Sequence, residues 1–280
     1  MGFCMGVRRT VDLTRAAALE ADSSANATAA QVFTLGPLIH NPCVLNDLKT
    51  LGVKIINEIP PDLRGCIVII RAHGVAPGLE LHIRERGGRI IDATCPIVKK
   101  NQLTAKHFEQ AGVRLFIAGE AGHAEITALS GYAPSGIVVG TSCEAECAAK
   151  KLHEAEPDAK TAIIAQTTID EHEFHITAEK IKKYFPALEI CNTICSATAE
   201  RQNSLRDLLK SVDALVVAGG RESANTRHLA RIAAEHGTPC ILAECAADIP
   251  ADFLQYRTVG LCAGASTPDS VVDEIERALV

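Results

Sequence analysis

The stretch Arg89-Ile90-Ile91-Asp92-Ala93-Thr94-Cys95-Pro96-Ile97-Val98-Lys99-Lys100 decides how this chain folds. An apolar run gives way to small and polar residues, and a proline then opens a helical pattern, so Cys95 falls where a strand ends and a helix begins. Open α/β sheets carry their chemistry at that address. The same grammar recurs at Gly2-Phe3-Cys4-Met5-Gly6-Val7 and at Asn192-Thr193-Ile194-Cys195-Ser196-Ala197-Thr198. Cys4, Cys95 and Cys195 cut the chain into near-equal thirds. This implies three similar α/β lobes, residues 1–95, 96–190 and 191–280, around one axis with their thiols at a common centre. No internal sequence repeat is otherwise visible. Taken alone, each cysteine reads first as a buried packing residue, since free cysteine is among the most buried types.

Composition points the same way. The chain has 280 residues, enough for a large core, and 47% of them are hydrophobic while only 4% are aromatic, with no Trp. Ala, Val, Ile and Leu must fill the interior, as in parallel sheets covered by helices on both faces. The net charge is −6 and no dense Lys/Arg run occurs, which argues against nucleic acid and acidic membrane surfaces as partners. No apolar run reaches the length of about 18 residues that a membrane span needs, and no secretory h-region is seen, so a cytoplasmic protein is expected. Eleven cysteines, an odd count in a long chain, argue against a disulfide framework and for metal or redox use of some.

Strands are expected at 31–35, 66–71, 89–91, 114–118, 136–140, 161–165, just before Cys195, 214–218, 239–243 and 259–262, with helices between them and a polar loop at Asp22 to Ala29. Nearly every strand ends in small residues plus a polar tip: His40, His73, His123, Thr167, Ser223, Asn225 and Ser266. Each precedes a helix N-terminus, where free backbone N–H groups and the positive dipole end suit an anion such as a phosphate. Any one of these residues alone is an ordinary N-cap, but their recurrence at successive strand ends is harder to assign to capping.

His123-Ala124-Glu125 places a histidine and a carboxylate at one strand-to-helix turn, where one can donate a hydrogen bond and the other a proton. H-x-E also opens the zinc deaminase signature, whose second half, P-C-x-x-C, is missing. No C-x-x-C, G-x-G-x-x-G or P-loop occurs, which removes local zinc-ribbon, thioredoxin and nucleotide signals. Cys43, Cys66, Cys143, Cys147, Cys191, Cys240, Cys245 and Cys262 read as packing residues. Three separated cysteines without a local fourth suggest an iron–sulfur cluster with one iron free of protein, able to bind a substrate oxygen and pass it electrons. A zinc hydrolase or deaminase using Glu125, and a non-catalytic cluster sensor or diphosphate-binding module, stand beside this reading.

The chain resembles the 4-hydroxy-3-methylbut-2-enyl diphosphate reductases of the non-mevalonate isoprenoid pathway. The resemblance covers essentially its whole length. It is carried by Gly2-Phe3-Cys4, Leu38-Ile39-His40-Asn41-Pro42, Arg71-Ala72-His73-Gly74, Asp92-Ala93-Thr94-Cys95-Pro96, Gly122-His123-Ala124-Glu125, Gln166-Thr167-Thr168, Ile194-Cys195-Ser196-Ala197-Thr198, Ser223-Ala224-Asn225-Thr226 and Ala263-Gly264-Ala265-Ser266-Thr267-Pro268-Asp269. It implies three α/β lobes around a [4Fe-4S] cluster held by Cys4, Cys95 and Cys195, with the substrate hydroxyl on the open iron. The diphosphate would be held by His40, His73, His123, Ser223, Asn225 and Ser266, and Glu125 with Thr167 would deliver protons so that oxygen leaves as water. An external donor, a small ferredoxin or flavodoxin, would supply the electrons. Two departures stand out. Members usually have a short strand before the first cysteine, for which three residues leave little room, and some carry a hydroxyl residue at Ala224, whose backbone N–H is expected to serve the phosphate with modestly weaker binding.

Overall fold

In a computed structural model, which describes residues 2–23 and 30–280, the strands form three parallel sheets. The first holds β1 (Val32–Leu35), β2 (Val53–Ile56), β3 (Ile67–Ile70) and β4 (Arg89–Asp92) in the order β2-β1-β3-β4. The second holds β5 (Arg114–Ala118), β6 (Ile137–Val139), β7 (Thr161–Ala165) and β8 (Glu189–Ile190) in the order β6-β5-β7-β8. The third holds β9 (Ala214–Ala218), β10 (Cys240–Ala243) and β11 (Val259–Ala263) in the order β10-β9-β11. The two complete sheets thus share one winding, and the third follows it as far as it goes.

Central strands are buried throughout, and their successive side chains feed two different cores. In the first sheet Val32, Ile67 and Ile69 pack with Val44 and Leu48 on one face, while Phe33, Leu35, Val68 and Ile70 pack with Val75 and Ile83 on the other. In the second, Phe116 and Ile163 join Phe174 and Ile181, whereas Leu115, Ile117 and Ile164 join Ile126 and Leu129. In the third, Val216 faces Val272 and Ile275, and Leu215 and Val217 face Leu229 and Leu205. Each fully buried Ile or Leu contributes on the order of 1.5–3 kcal/mol. Aliphatic side chains therefore carry these cores with little aromatic help.

Helices α1 (Met5–Ser23), α2 (Pro42–Thr50), α3 (Pro77–Glu85), α4 (Pro96–Gln110), α5 (Ala124–Tyr132), α6 (Ser142–Ala155), α7 (Glu171–Lys182), α8 (Ser196–Leu209), α9 (Ala224–Glu235) and α10 (Asp269–Leu279) connect the strands. Their starts are written locally. Asn41 accepts from the Val44 N–H with Pro42 at the first helical position, Thr141 accepts from the Glu144 N–H, and Asp170 accepts from His172 and Glu173.

Several expectations need correction. The edge strand β2 escapes a reading by apolar pattern because only Val53 is buried and Lys54 and Ile55 face outward, as suits an edge. The strand before Cys195 is reduced to two residues, its ladder being continued by the Thr193 hydroxyl, which donates to the Ala165 carbonyl at 2.6 Å and accepts from the Ala165 N–H at 2.8 Å. The polar loop expected at 22–29 begins later, since α1 runs to Ser23, and the rest of it lies outside the described residues. Cys43, Cys143 and Cys147 are exposed and are not packing residues. Cys43 and Cys143 lie in the first turns of α2 and α6, and Cys147 one turn further along α6.

Candidate active site

Each sheet ends in two loops that repeat from one sheet to the next. After the first-wound strand comes a loop whose tip starts a helix: Leu35 to His40, Ala118 to His123 and Ala218 to Ser223 are equal intervals. After the next inner strand come His73, Thr168 and Ser266, again at equal intervals from Ile70, Ala165 and Ala263. The cysteines repeat as well. The N–H of Cys95 donates to the Ala72 carbonyl, that of Cys195 to Thr167 and that of Cys4 to Ala265, each at 3.0 Å. Residues 2–4 form no strand, yet they stand where the missing fourth strand of the third sheet would end.

A second set of contacts closes these pieces into a ring. The Thr10 hydroxyl on α1 donates to the Ala93 carbonyl at 2.7 Å, the Asn101 amide on α4 to the Thr193 carbonyl at 3.2 Å, and the Arg201 guanidinium on α8 to the Gly2 carbonyl at 2.7 Å. In each case a side chain on the helix that follows one cysteine grips the backbone just before the next cysteine. Gly6 shows how close the approach is, because a Cβ there would lie 2.5 Å from Cys95 Sγ.

One cavity opens inside this ring. Its lining includes Cys4, Cys95 and Cys195, together with His40, His73, His123, Glu125, Thr167, Ser223, Ala224, Asn225 and Ser266. All the side chains marked from the sequence therefore face a common space. Each thiol sits at the start of its helix, where backbone N–H groups suit a thiolate: Val7 N lies 3.5 Å from Cys4 Sγ. Burial pushes the Cys95 thiol up, the N–H groups of Ile97 and Val98 oppose this, and Cys4 and Cys195 add to the rise, so the three sulfurs feel one another. Among the described residues no three His, Cys, Asp or Glu side chains close on a single ion. The three thiols line one cavity, each at a helix start.

The wall carrying the histidines is polar and incompletely satisfied. Their rings adjoin in a row, His40 tilted against His73 at 5.5 Å and His73 edge-on to His123 at 5.3 Å between centroids. Burial, then the His123, Arg71 and His40 charges, holds His73 well below its usual range, and burial with Arg71 and Arg227 lowers His40. His123 is pushed to about 4 chiefly by burial, against the opposing Glu120. Its Nδ1 accepts the Glu125 N–H at 3.2 Å, which puts the proton of the neutral ring on Nε2. His73 Nδ1, both polar atoms of the Asn225 amide and Ser266 Oγ are buried without partners. Such atoms cost free energy until something in the cavity pairs with them.

Between the thiols and this wall sits Glu125, fully buried, taking the Thr167 N–H at 2.9 Å on one oxygen and the Thr167 hydroxyl at 2.7 Å on the other. Burial raises its carboxyl to about 7 even though both hydrogen bonds from Thr167 pull the other way. It therefore holds a proton near neutral pH. Gly74, at φ +72, lets the chain turn directly after His73, and a Cβ there would strike the Gln102 amide at 2.0 Å. Arg71 and the ring-closing Thr10, Asn101 and Arg201 escape a reading by motif. Only the family-like stretch Arg71-Ala72-His73-Gly74 hints at the first, and nothing local marks the other three.

Comparison with known proteins bears on the same ground. A family model described as LytB protein matches residues 1–280. Among curated relatives, the 4-hydroxy-3-methylbut-2-enyl diphosphate reductase of Treponema denticola is 38% identical over 285 residues, covering 100% of this chain and 96% of that protein. The reductase of the same name from Solidesulfovibrio magneticus is 40% identical, covering 99% of this chain and 96% of its own. A solved structure of (E)-4-hydroxy-3-methyl-but-2-enyl diphosphate reductase, described as the terminal enzyme of the non-mevalonate pathway, superposes with a TM-score of 0.70 at 34% identity over 99% of this chain and 95% of that chain. A Plasmodium falciparum reductase structure superposes at 0.89 with 24% identity over 99% and 84%, which speaks for the fold. By sequence and fold together, this chain belongs to the LytB family.

Proposed function

We propose that this protein is an iron–sulfur oxidoreductase that converts 4-hydroxy-3-methylbut-2-enyl diphosphate to isopentenyl diphosphate and dimethylallyl diphosphate, the last step of the non-mevalonate isoprenoid pathway. One observation carries the reading: a single cavity is lined by three helix-start thiols, by unpartnered polar tips and by a carboxyl whose burial raises it to about 7. Cys4, Cys95 and Cys195 would hold a [4Fe-4S] cluster with one iron left free of protein. When bound, that group supplies electrons and a Lewis acid for the departing oxygen.

The remaining roles belong to the chain. His40, His73 and His123 offer neutral ring N–H groups to the diphosphate, joined by the Ser223 hydroxyl and by Asn225 and Ser266, whose unpartnered polar atoms it satisfies. The first backbone N–H groups of α9 stand free as at any helix start, so Ala224 contributes its amide in place of a hydroxyl. Glu125 keeps a proton on its carboxyl, and Thr167 Oγ1, bonded to it, holds that carboxyl in orientation and can pass the proton to the hydroxyl oxygen. Hydroxide is a poor leaving group near neutral pH, and protonation lets it leave as water. The chain carries no flavin or nicotinamide fingerprint, so electrons are proposed to arrive from a small ferredoxin or flavodoxin. No helix among the described residues is long and apolar enough to cross a membrane.

Protein purified without oxygen should be brown and should consume the hydroxylated diphosphate when given a reduced donor. Mössbauer spectra should show one iron distinct from the rest. Stoichiometric zinc without acid-labile sulfide, or full activity in Cys95→Ser, would overturn the assignment.

A further inference from the structure

The diphosphate wall has a charge problem. A diphosphate carries several negative charges, yet the side chains facing it are neutral, the three histidines included. Cations nearby are few. Arg227 lies beside the cavity but is neutralised by Glu120, at 2.9 Å and 3.0 Å, and by Glu222. Arg71 is different. Its guanidinium forms no ion pair with any described residue, its Nε is buried without a partner, and it lies against Gly36 in the loop that leads to His40, where a Cβ would come within 2.7 Å of Nη1. Burial alone lowers it, with no carboxylate to offset the cost. The residue is half-buried, and its charge is unclaimed by any carboxylate and open to an anion at the neighbouring site.

We propose that Arg71 is the fixed cation of the diphosphate site, a positioning charge set behind His40, His73 and His123 that acts on the anion through those rings. The inference rests on the diphosphate reading above. Arg71 does not line the cavity itself, but it is two residues from His73 and its charge reaches all three histidines. Other charges facing the rings are Arg227, which adds to its effect, and Glu222 and Glu120, which oppose it at His40 and His123. Burial is the main reason that the rings stay unprotonated, and the guanidinium adds to it. Once the anion enters, the same charge becomes favourable.

The test is titration of the anaerobically purified holoenzyme with inorganic pyrophosphate, beside steady-state kinetics. Arg71→Met, and Arg71→Gln as a polar neutral variant should the first not fold, are expected to bind pyrophosphate about ten-fold more weakly at about pH 8. The loss should persist at about pH 6, because burial keeps the rings neutral there with or without Arg71. KM should rise more than kcat falls, and Arg71→Lys should retain most of the affinity. Wild-type affinity in the neutral variants at both pH values, or a loss in Arg71→Lys as large as in Arg71→Met, would overturn the inference. If the wild-type protein itself binds no pyrophosphate, the diphosphate reading has failed and the inference falls with it.

Discussion

Glu125 is a carboxyl whose job depends on being denied water. Its ordinary value of 4.5 is raised to about 7 by burial, so between those values the folded chain holds a proton that the unfolded chain has lost. The stability this contributes is fully present below about 4.5 and disappears as pH rises through about 7. Turnover should fall over the same upper limb as the proton is lost. Glu125→Gln is expected to cut kcat by about 10²–10⁴ while leaving the protein as stable as wild type at acid pH and more stable above about pH 8, read by activity and by thermal melts. Thr167→Val removes one of two hydrogen bonds that hold the carboxyl down. The alkaline limb should then move to higher pH, and an unmoved limb would show that Glu125 is not the group it reports.

At the scale of elements, the ring of donors from α1, α4 and α8 explains why three distant cysteines can act as one. Each helix starts at its own cysteine and clamps the strand end that delivers the next. Losing one such bond leaves a carbonyl without its partner, at a cost of about 1–3 kcal/mol. Asn101→Leu should therefore lower the melting temperature and, more tellingly, speed loss of iron on exposure to chelator. A variant that melts earlier but keeps its iron as well as wild type would reduce the ring to a folding contact. Ile163, fully buried between α6 and α7 on one side of β7, offers a plain packing comparison: Ile163→Ala should cost about 2–5 kcal/mol without a selective effect on iron retention.

Over the whole molecule, the second and third sheets are joined by charge. Asp170 caps α7, is almost fully buried, and is held by Arg206 of α8 and by His228 of α9 at 3.5 Å. Burial pushes this carboxyl up, but the nearby His228 ring, the Arg206 guanidinium and the Glu173 N–H outweigh it and hold it well below the usual carboxylate range. Its contribution is therefore present above about 3.8 and is lost as pH falls further. Asp170→Asn should destabilise by about 1–3 kcal/mol near neutral pH, because it removes the charge that pairs with Arg206, and the deficit should narrow in acid. The exposed pairs Glu120 with Arg227 and Glu173 with Arg231, which bridge the same two units, are worth about 0–1 kcal/mol each and should weaken with salt.

Much of this was written in the linear chain. Alternating apolar runs, small-residue strand ends, caps such as Asn41 and Asp170, and the three cysteine turns are local signals, because propensity, turn chemistry and hydrogen bonding within a few residues decide them. Interruptions such as Lys54 in β2 and the two-residue β8 are where those signals thinned, since neighbouring strands and the Thr193 hydroxyl supply what the segments lack. Tertiary structure alone decided that residues 2–4 stand where the third sheet lacks a strand, that Arg201 reaches back to Gly2, that Glu125 is sealed from water and that Arg71 is left without a carboxylate. Each of these depends on which groups distant parts of the chain bring together, and burial and unpaired charge are properties of that assembled neighbourhood rather than of any residue within it.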